Sequence, residues 1–194
     1  RGYTYEFSGL TRTEQESSNS TAIVFVLCLT FVYLILSAQY ESYVLPLSVI
    51  LSIPFGLAGA FLFTNMFGKN NDIYMQISLV MLIGLAAKNA ILVVEYADRL
   101  FFEQKQSLVD AAVGAAKLRV RPILMTAFAF ILGVMPLIFA DGVYSTARNI
   151  MGVALVGGML LATLLGIFIY PSLYYLIARL GRFERKRDLK SQNL

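Results

Sequence analysis

The sequence contains no histidine, no tryptophan and a single cysteine, Cys28, among its 194 residues. One cysteine cannot close an intrachain disulfide. Set in the apolar run AIVFVLCLTF, Cys28 reads as a small buried hydrophobe. With no imidazole and one thiol, the chain has no ligand set for a tetrahedral zinc site, and no metal is expected. Charge is scarce as well. Asp, Glu, Lys and Arg make up 14% of the chain, against about 25% in an ordinary soluble domain. No glycine-rich loop ending in Lys-Ser or Lys-Thr is present to cradle a nucleotide phosphate. The missing histidine also removes the usual base for a nucleophilic serine, so the chain does not read as an enzyme.

What the chain has instead is apolar length, with 58% of its residues hydrophobic. A helix crosses a bilayer core with roughly 17 to 25 apolar residues. Five stretches meet that length, at residues 21–38, 45–67, 73–97, 122–140 and 150–178. The expected fold is an all-α membrane protein whose consecutive helices are antiparallel neighbours, because three of the four connections are very short. The preceding residues, 1–20, read as the end of an outer domain and a linker. The opening RGYTYEFSGL begins with Arg1 rather than Met, which points to a piece of a longer polypeptide. Residues 179–194 read as a basic tail.

Orientation follows from the Lys and Arg distribution. Eleven of these residues lie in residues 98–121 and the tail, and four lie in the connections and flank on the other side. The tail and the long loop are therefore placed in the cytoplasm. The net charge of +4 reflects this asymmetry, and no nucleic-acid partner is expected. Within the long loop, Ser107 and Asp110 form a variant of the capping box. Leu108, Ala111, Ala112, Ala115 and Leu118 follow with helical spacing, which predicts an amphipathic helix over 107–118 lying on the membrane surface. Thr13 and Glu16 form a second box that predicts a helix start before the first span. Ala154, Gly158, Ala162 and Gly166 form a ridge of small residues that invites close helix approach, as do Gly56, Gly59 and Ala60.

One residue stands against this apolar background. Lys88 lies ten residues before Asp98, about 15 Å from the end of its span, beyond the reach of a lysine stem to the interface. A cation at the bilayer centre costs roughly 2.5 to 3.5 kcal/mol. Eleven of the twelve acidic residues fall in flanks, loops or the tail. The exception, Glu95, is two turns away on the same helix, roughly 10 Å, too far for a direct bond. An ion pair for Lys88 therefore requires an acid from outside this stretch. Such a pair is suited to proton coupling, because protonating the acid frees the lysine to change partners. Asn89 adjoins Lys88 but points about 100° around the helix. Thr126 lies one turn past Pro122 in the fourth span, and Arg119 belongs to a basic cluster with Lys117 and Arg121.

The runs GLAAKNAILVVEYA and RVRPILMTAFAFILGVMPL, with AQYESYVLPLSVILSIPFGLAGAF and NDIYMQISLVMLIGL before them, resemble the resistance-nodulation-division transporters. The resemblance is closest to their hydrophobe/amphiphile efflux branch and extends from Tyr5 to about Arg187. It implies twelve spans in two halves, of which this chain looks like the last five. It implies a homotrimeric proton/drug antiporter of the bacterial inner membrane that needs no cofactor. The resemblance further implies that the remaining N-terminal part of the polypeptide, a periplasmic adaptor protein and an outer-membrane channel are its partners. Its substrates would be amphiphilic small molecules such as drugs, dyes and detergents. A proton relay would run through Lys88, Thr126 and Arg119, with Asn89 beside them, and its two aspartates would lie on a span outside this chain. Export of a different cargo, a metal ion or a lipid, is the alternative within the family. Outside it, the alternative is a non-transporting scaffold in which Lys88 fixes helix register.

Overall fold

The five prolines, Pro46, Pro54, Pro122, Pro136 and Pro171, all fall in helical segments, and their effects differ. The computed structural model describes residues 10–40, 42–104 and 107–191. Among these there are only helices: α1 (Leu10–Tyr40), α2 (Leu45–Ile50), α3 (Ile53–Met66), α4 (Ile73–Phe102), α5 (Leu108–Ile138) and α6 (Ser145–Ser191). Five segments, α2 and α3 counting as one, are long and apolar enough to cross a membrane.

Pro46 sits in the first turn of α2, where its missing N–H costs nothing. Pro54 has the opposite effect. The span expected as one helix over 45–67 is broken at Leu51–Ser52 into α2 and α3. Pro54 cannot bond the carbonyl four residues back and its ring crowds that turn, so the chain restarts there with Pro54 in the new first turn. Ser52 covers part of the break by donating its hydroxyl to the Val49 carbonyl at 2.5 Å. Pro122, Pro136 and Pro171 stay inside continuous helices.

That continuity changes a second expectation. The surface helix over 107–118 and the span over 122–140 are not separate elements. Both belong to α5, a single helix of 31 residues. No glycine or turn sequence separates Leu118 from Pro122, and the helix runs on through Pro122. The start at Ser107 is as read: its hydroxyl oxygen accepts from the Asp110 N–H at 3.2 Å and donates to the Asp110 carboxylate at 2.6 Å. Ala111, Ala112 and Ala115 are buried in a cluster with Ala97 and Leu100 of α4. The alanine face therefore meets protein, and its small side chains are what let α5 lie close against α4.

Other boundaries move as well. α1 is already helical at Leu10, so Thr13 is not its N-cap. Residues 1–9 of the segment read as an outer-domain exit lie outside the described residues, and 10–20 belong to α1. The segment read as a tail continues α6 to Ser191. α4 is capped by Asp72, whose carboxylate accepts from the Met75 N–H at 2.9 Å.

Two buried clusters divide the bundle by depth. One joins Leu36, Val49, Ala87 to Leu100 of α4, Ala111 to Ile123 of α5, Tyr170 and Tyr174. The other joins Ala60, Met75 to Leu82, Ala127, Ile131 and Ile150 to Met159. An up-and-down arrangement sorts residues in this way, with early residues of one helix level with late residues of the next. α6 is the axis, touching α2, α3, α4 and α5, whereas α1 leans only on α2 and α4. The small-residue ridge of α6 meets that of α3. A Cβ on Gly59 would stand 2.7 Å from the Leu161 Cβ and 2.8 Å from the Gly157 carbonyl oxygen. At that spacing only glycine fits, and the close approach supplies the packing that apolar burial alone cannot supply in lipid.

Four hydroxyls inside the spans bond to the fourth carbonyl back in their own helices. Thr30 donates to Val26, Thr64 to Ala60, Ser78 to Tyr74 and Ser172 to Phe168, each reaching the carbonyl four residues back. This satisfies them without an external partner.

Candidate functional site

Helix period and burial together place Lys88. On α4, Leu82, Ile83, Ala86, Ala87, Asn89 and Ala90 are buried. Ile77, Met81, Gly84 and Lys88 lie along the opposite, exposed stripe. Nothing stands within 4 Å of where a Gly84 Cβ would be, one turn before Lys88. Lys88 therefore points away from the α3, α5 and α6 contacts, and among the described residues it has no hydrogen bond or ion pair. Glu95 continues the same stripe toward the end of α4. Its carboxylate bonds Arg99 at 3.1 Å, one turn further on, and is turned away from Lys88.

Asn89 is the inward neighbour. It is buried, 2% exposed, and its Nδ2 has no hydrogen-bond partner among the described residues. The 100° rotation between successive helix positions thus separates the two polar residues: Lys88 faces out of the bundle and Asn89 faces into it. A buried amide N–H without an acceptor is costly. The same condition holds for the Thr163 hydroxyl on α6.

Thr126 lies at the depth of Lys88. The boundary between the two buried clusters falls between Leu82 and Ala87 on α4 and between Ile123 and Ala127 on α5. Lys88 and Thr126 each adjoin that boundary. The Thr126 side chain is exposed, and its hydroxyl donates to the Ile123 carbonyl at 3.0 Å. That carbonyl lies one turn back, in the turn containing Pro122.

Arg119 is engaged differently. Its guanidinium carbon lies 4.6 Å from the centroid of the Tyr96 ring. Its Nε is buried without a hydrogen-bond partner. No described carboxylate pairs with it. Asp98, the next acid on α4 after Glu95, is hydrogen-bonded by the Tyr174 hydroxyl of α6. Tyr40 of α1 donates to the Ile91 carbonyl of α4 at 3.4 Å. Below Lys88, α4 is thus tied to α1, α5 and α6 through tyrosines. Sequence reading missed Tyr96 and Tyr174. The available signal was their place near span ends, where an aromatic ring with a polar tip has both apolar and polar neighbours.

Residues 1–178 match the AcrB/AcrD/AcrF family. The chain belongs to that family. The resemblance read from the motifs around Lys88 and Pro122 is thereby borne out. The AcrB/AcrD/AcrF relatives include the multidrug resistance protein MdtF of Escherichia coli K12, 42% identical over 185 residues. That match covers 95% of this chain and 18% of MdtF. The toluene efflux pump membrane transporter TtgB of Pseudomonas putida is 42% identical over 193 residues, covering 99% of this chain and 18% of TtgB. The multidrug export protein AcrF of Escherichia coli K12 is 42% identical over 178 residues, 92% of this chain and 17% of AcrF. The chain thus spans less than a fifth of the length of these relatives. Membership in the AcrB/AcrD/AcrF family, together with five span-length apolar helices, makes it a multi-pass membrane protein.

Proposed function

We propose that this chain is the membrane-embedded part of a proton-driven exporter of amphiphilic small molecules. In this reading it works in the bacterial inner membrane, within a longer polypeptide assembled as a homotrimer. A periplasmic adaptor and an outer-membrane channel complete the export route. Protons are the coupling species and no bound cofactor is required. The names of the relatives, which speak of multidrug resistance, toluene efflux and multidrug export, support the choice of cargo.

The observation that carries the reading is Lys88, mid-way along α4, turned out of the helix packing and without an ionic partner among the described residues. A charge in that position is sustainable in a membrane when an acid from elsewhere in the protein neutralises it. Protonation of the acid releases the lysine, and the helices change packing. Deprotonation restores the pair. The driving energy is about 2.3 kcal/mol per charge per 100 mV, plus the pH difference. Thr126, level with Lys88, offers a hydroxyl that can exchange its Ile123 bond for a bond to the relay. Asn89 presents a buried amide on the inner side of the same turn. Arg119 supplies a guanidinium beside the path, at the α4–α5 contact.

The test is Lys88→Ala in the full-length protein. Drug efflux and drug-coupled proton uptake are expected to vanish while the amount of assembled trimer stays unchanged. Normal efflux in that variant overturns the relay role.

A further inference from the structure

We infer that Tyr96 is a positioning residue for Arg119, holding its guanidinium by the ring face so that its N–H donors remain free for acceptors along the proton path. The inference rests on the relay reading above, but the geometry that suggests it is independent of that reading. The guanidinium carbon is 4.6 Å from the Tyr96 centroid, within the range where a ring quadrupole attracts a cation. Among the described residues the side chain has no hydrogen bond and no ion pair, and its Nε is buried without an acceptor. A half-buried arginine normally takes a carboxylate in a bidentate bond. Both acids flanking Tyr96 are committed elsewhere: Glu95 to Arg99 at 3.1 Å and Asp98 to the Tyr174 hydroxyl.

A carboxylate would fix Arg119 by occupying its donors, whereas an aromatic face fixes it and leaves the edge of the guanidinium plane available. The contact also joins α5 to α4, the helix that carries Lys88 two turns away. A shift of α4 that follows release of Lys88 would therefore carry the arginine with it. The phenolic hydroxyl has no part in this, because the interaction is with the ring.

The test compares Tyr96→Phe, Tyr96→Leu and Tyr96→Met in the full-length, membrane-embedded protein. The first readout is independent of transport: the rate at which phenylglyoxal modifies Arg119, followed by peptide mass spectrometry. The expected result is faster labelling by about threefold to thirtyfold in the Leu and Met variants, the range given by the strength of a cation–π contact. Tyr96→Phe is expected to label like the parent. The second readout is drug efflux at equal trimer abundance, expected to fall in the Leu and Met variants and to be retained in Tyr96→Phe. Unchanged labelling in both aliphatic variants overturns the positioning role, whatever happens to efflux. Faster labelling with full efflux overturns its link to transport. A loss shared by Tyr96→Phe overturns the ring-face account. Lys88→Ala, measured alongside, separates the two readings: if it retains efflux, the relay fails, and the labelling result then stands only as a structural contact.

Discussion

The hydroxyl of Tyr174, a buried residue of α6, is hydrogen-bonded to the carboxylate of Asp98 on α4. The bond joins two parallel helices that are otherwise held by apolar contacts, and it satisfies a charge partly withdrawn from solvent. Tyr174→Phe keeps the ring and removes the donor. The expected cost is about 1.5 kcal/mol, the low end for a charged acceptor because Asp98 is only half-buried. Thermal unfolding in detergent checks it, and an unchanged midpoint would show that water replaces the hydroxyl without loss.

The α3–α6 contact makes a sharper forecast. Gly59→Ala places a methyl 2.7 Å from the Leu161 Cβ and 2.8 Å from the Gly157 carbonyl oxygen, and the second of these is backbone that cannot swing aside. The helices must separate, at a cost of about 1 to 3 kcal/mol. Gly133→Ala is the control, since nothing stands within 4 Å of its Cβ position. A lower midpoint for the first variant and not the second is the expected pattern. Equal midpoints would contradict the close approach.

Tyr144 has φ +68°, in the left-handed region that side chains rarely adopt. It is 75% exposed, so a shorter residue loses little packing. The Arg148 guanidinium holds the preceding turn by donating to the Asp141 carbonyl at 3.0 Å and the Val143 carbonyl at 3.4 Å. Tyr144→Gly is expected to stabilise the protein by about 1 kcal/mol through strain relief. Arg148→Ala is expected to speed amide hydrogen exchange in the Asp141–Ser145 turn. Slower exchange, or none gained, would assign the turn's order to something other than Arg148.

The stripe of α4 that bears Lys88 also carries Gly84, which nothing described touches. A glycine in a helix interior costs about 1 kcal/mol relative to alanine. If another helix of the full-length protein brings the acid for Lys88, it approaches along this stripe. Gly84→Leu in the full-length protein is then expected to cut efflux at least tenfold by holding that helix away. Full activity in Gly84→Leu would place the acid's approach elsewhere.

The spans were readable because a run such as Ile150 to Ala178 has one physical explanation, whereas the Asp72 cap of α4 came only with the structure. Several helix boundaries were not readable, at the outer ends of α1 and α6 and at two prolines. Pro54 lies inside an apolar run and Pro122 follows a basic cluster, so the sequence favoured a boundary at Pro122 and none at Pro54. The helix instead restarts before Pro54 and runs on through Pro122. The basic cluster around Arg119 looked like a boundary between surface and membrane. In three dimensions it lies within one helix, against the face of Tyr96. Lys88 stood out from composition alone, but the side of α4 it occupies needed the positions of α3, α5 and α6. The Tyr96–Arg119 contact was beyond sequence reading, since the two residues are 23 positions apart and meet only once the register of two helices is set.

The unbroken course of α5 has a mechanical meaning. At about 1.5 Å per residue its 31 residues form a rod about 46 Å long. Pro122 stands between the stacked arginine and Thr126, so a tilt imposed at the Ser107 end reaches the arginine directly and the hydroxyl only across the one turn that lacks a backbone hydrogen bond.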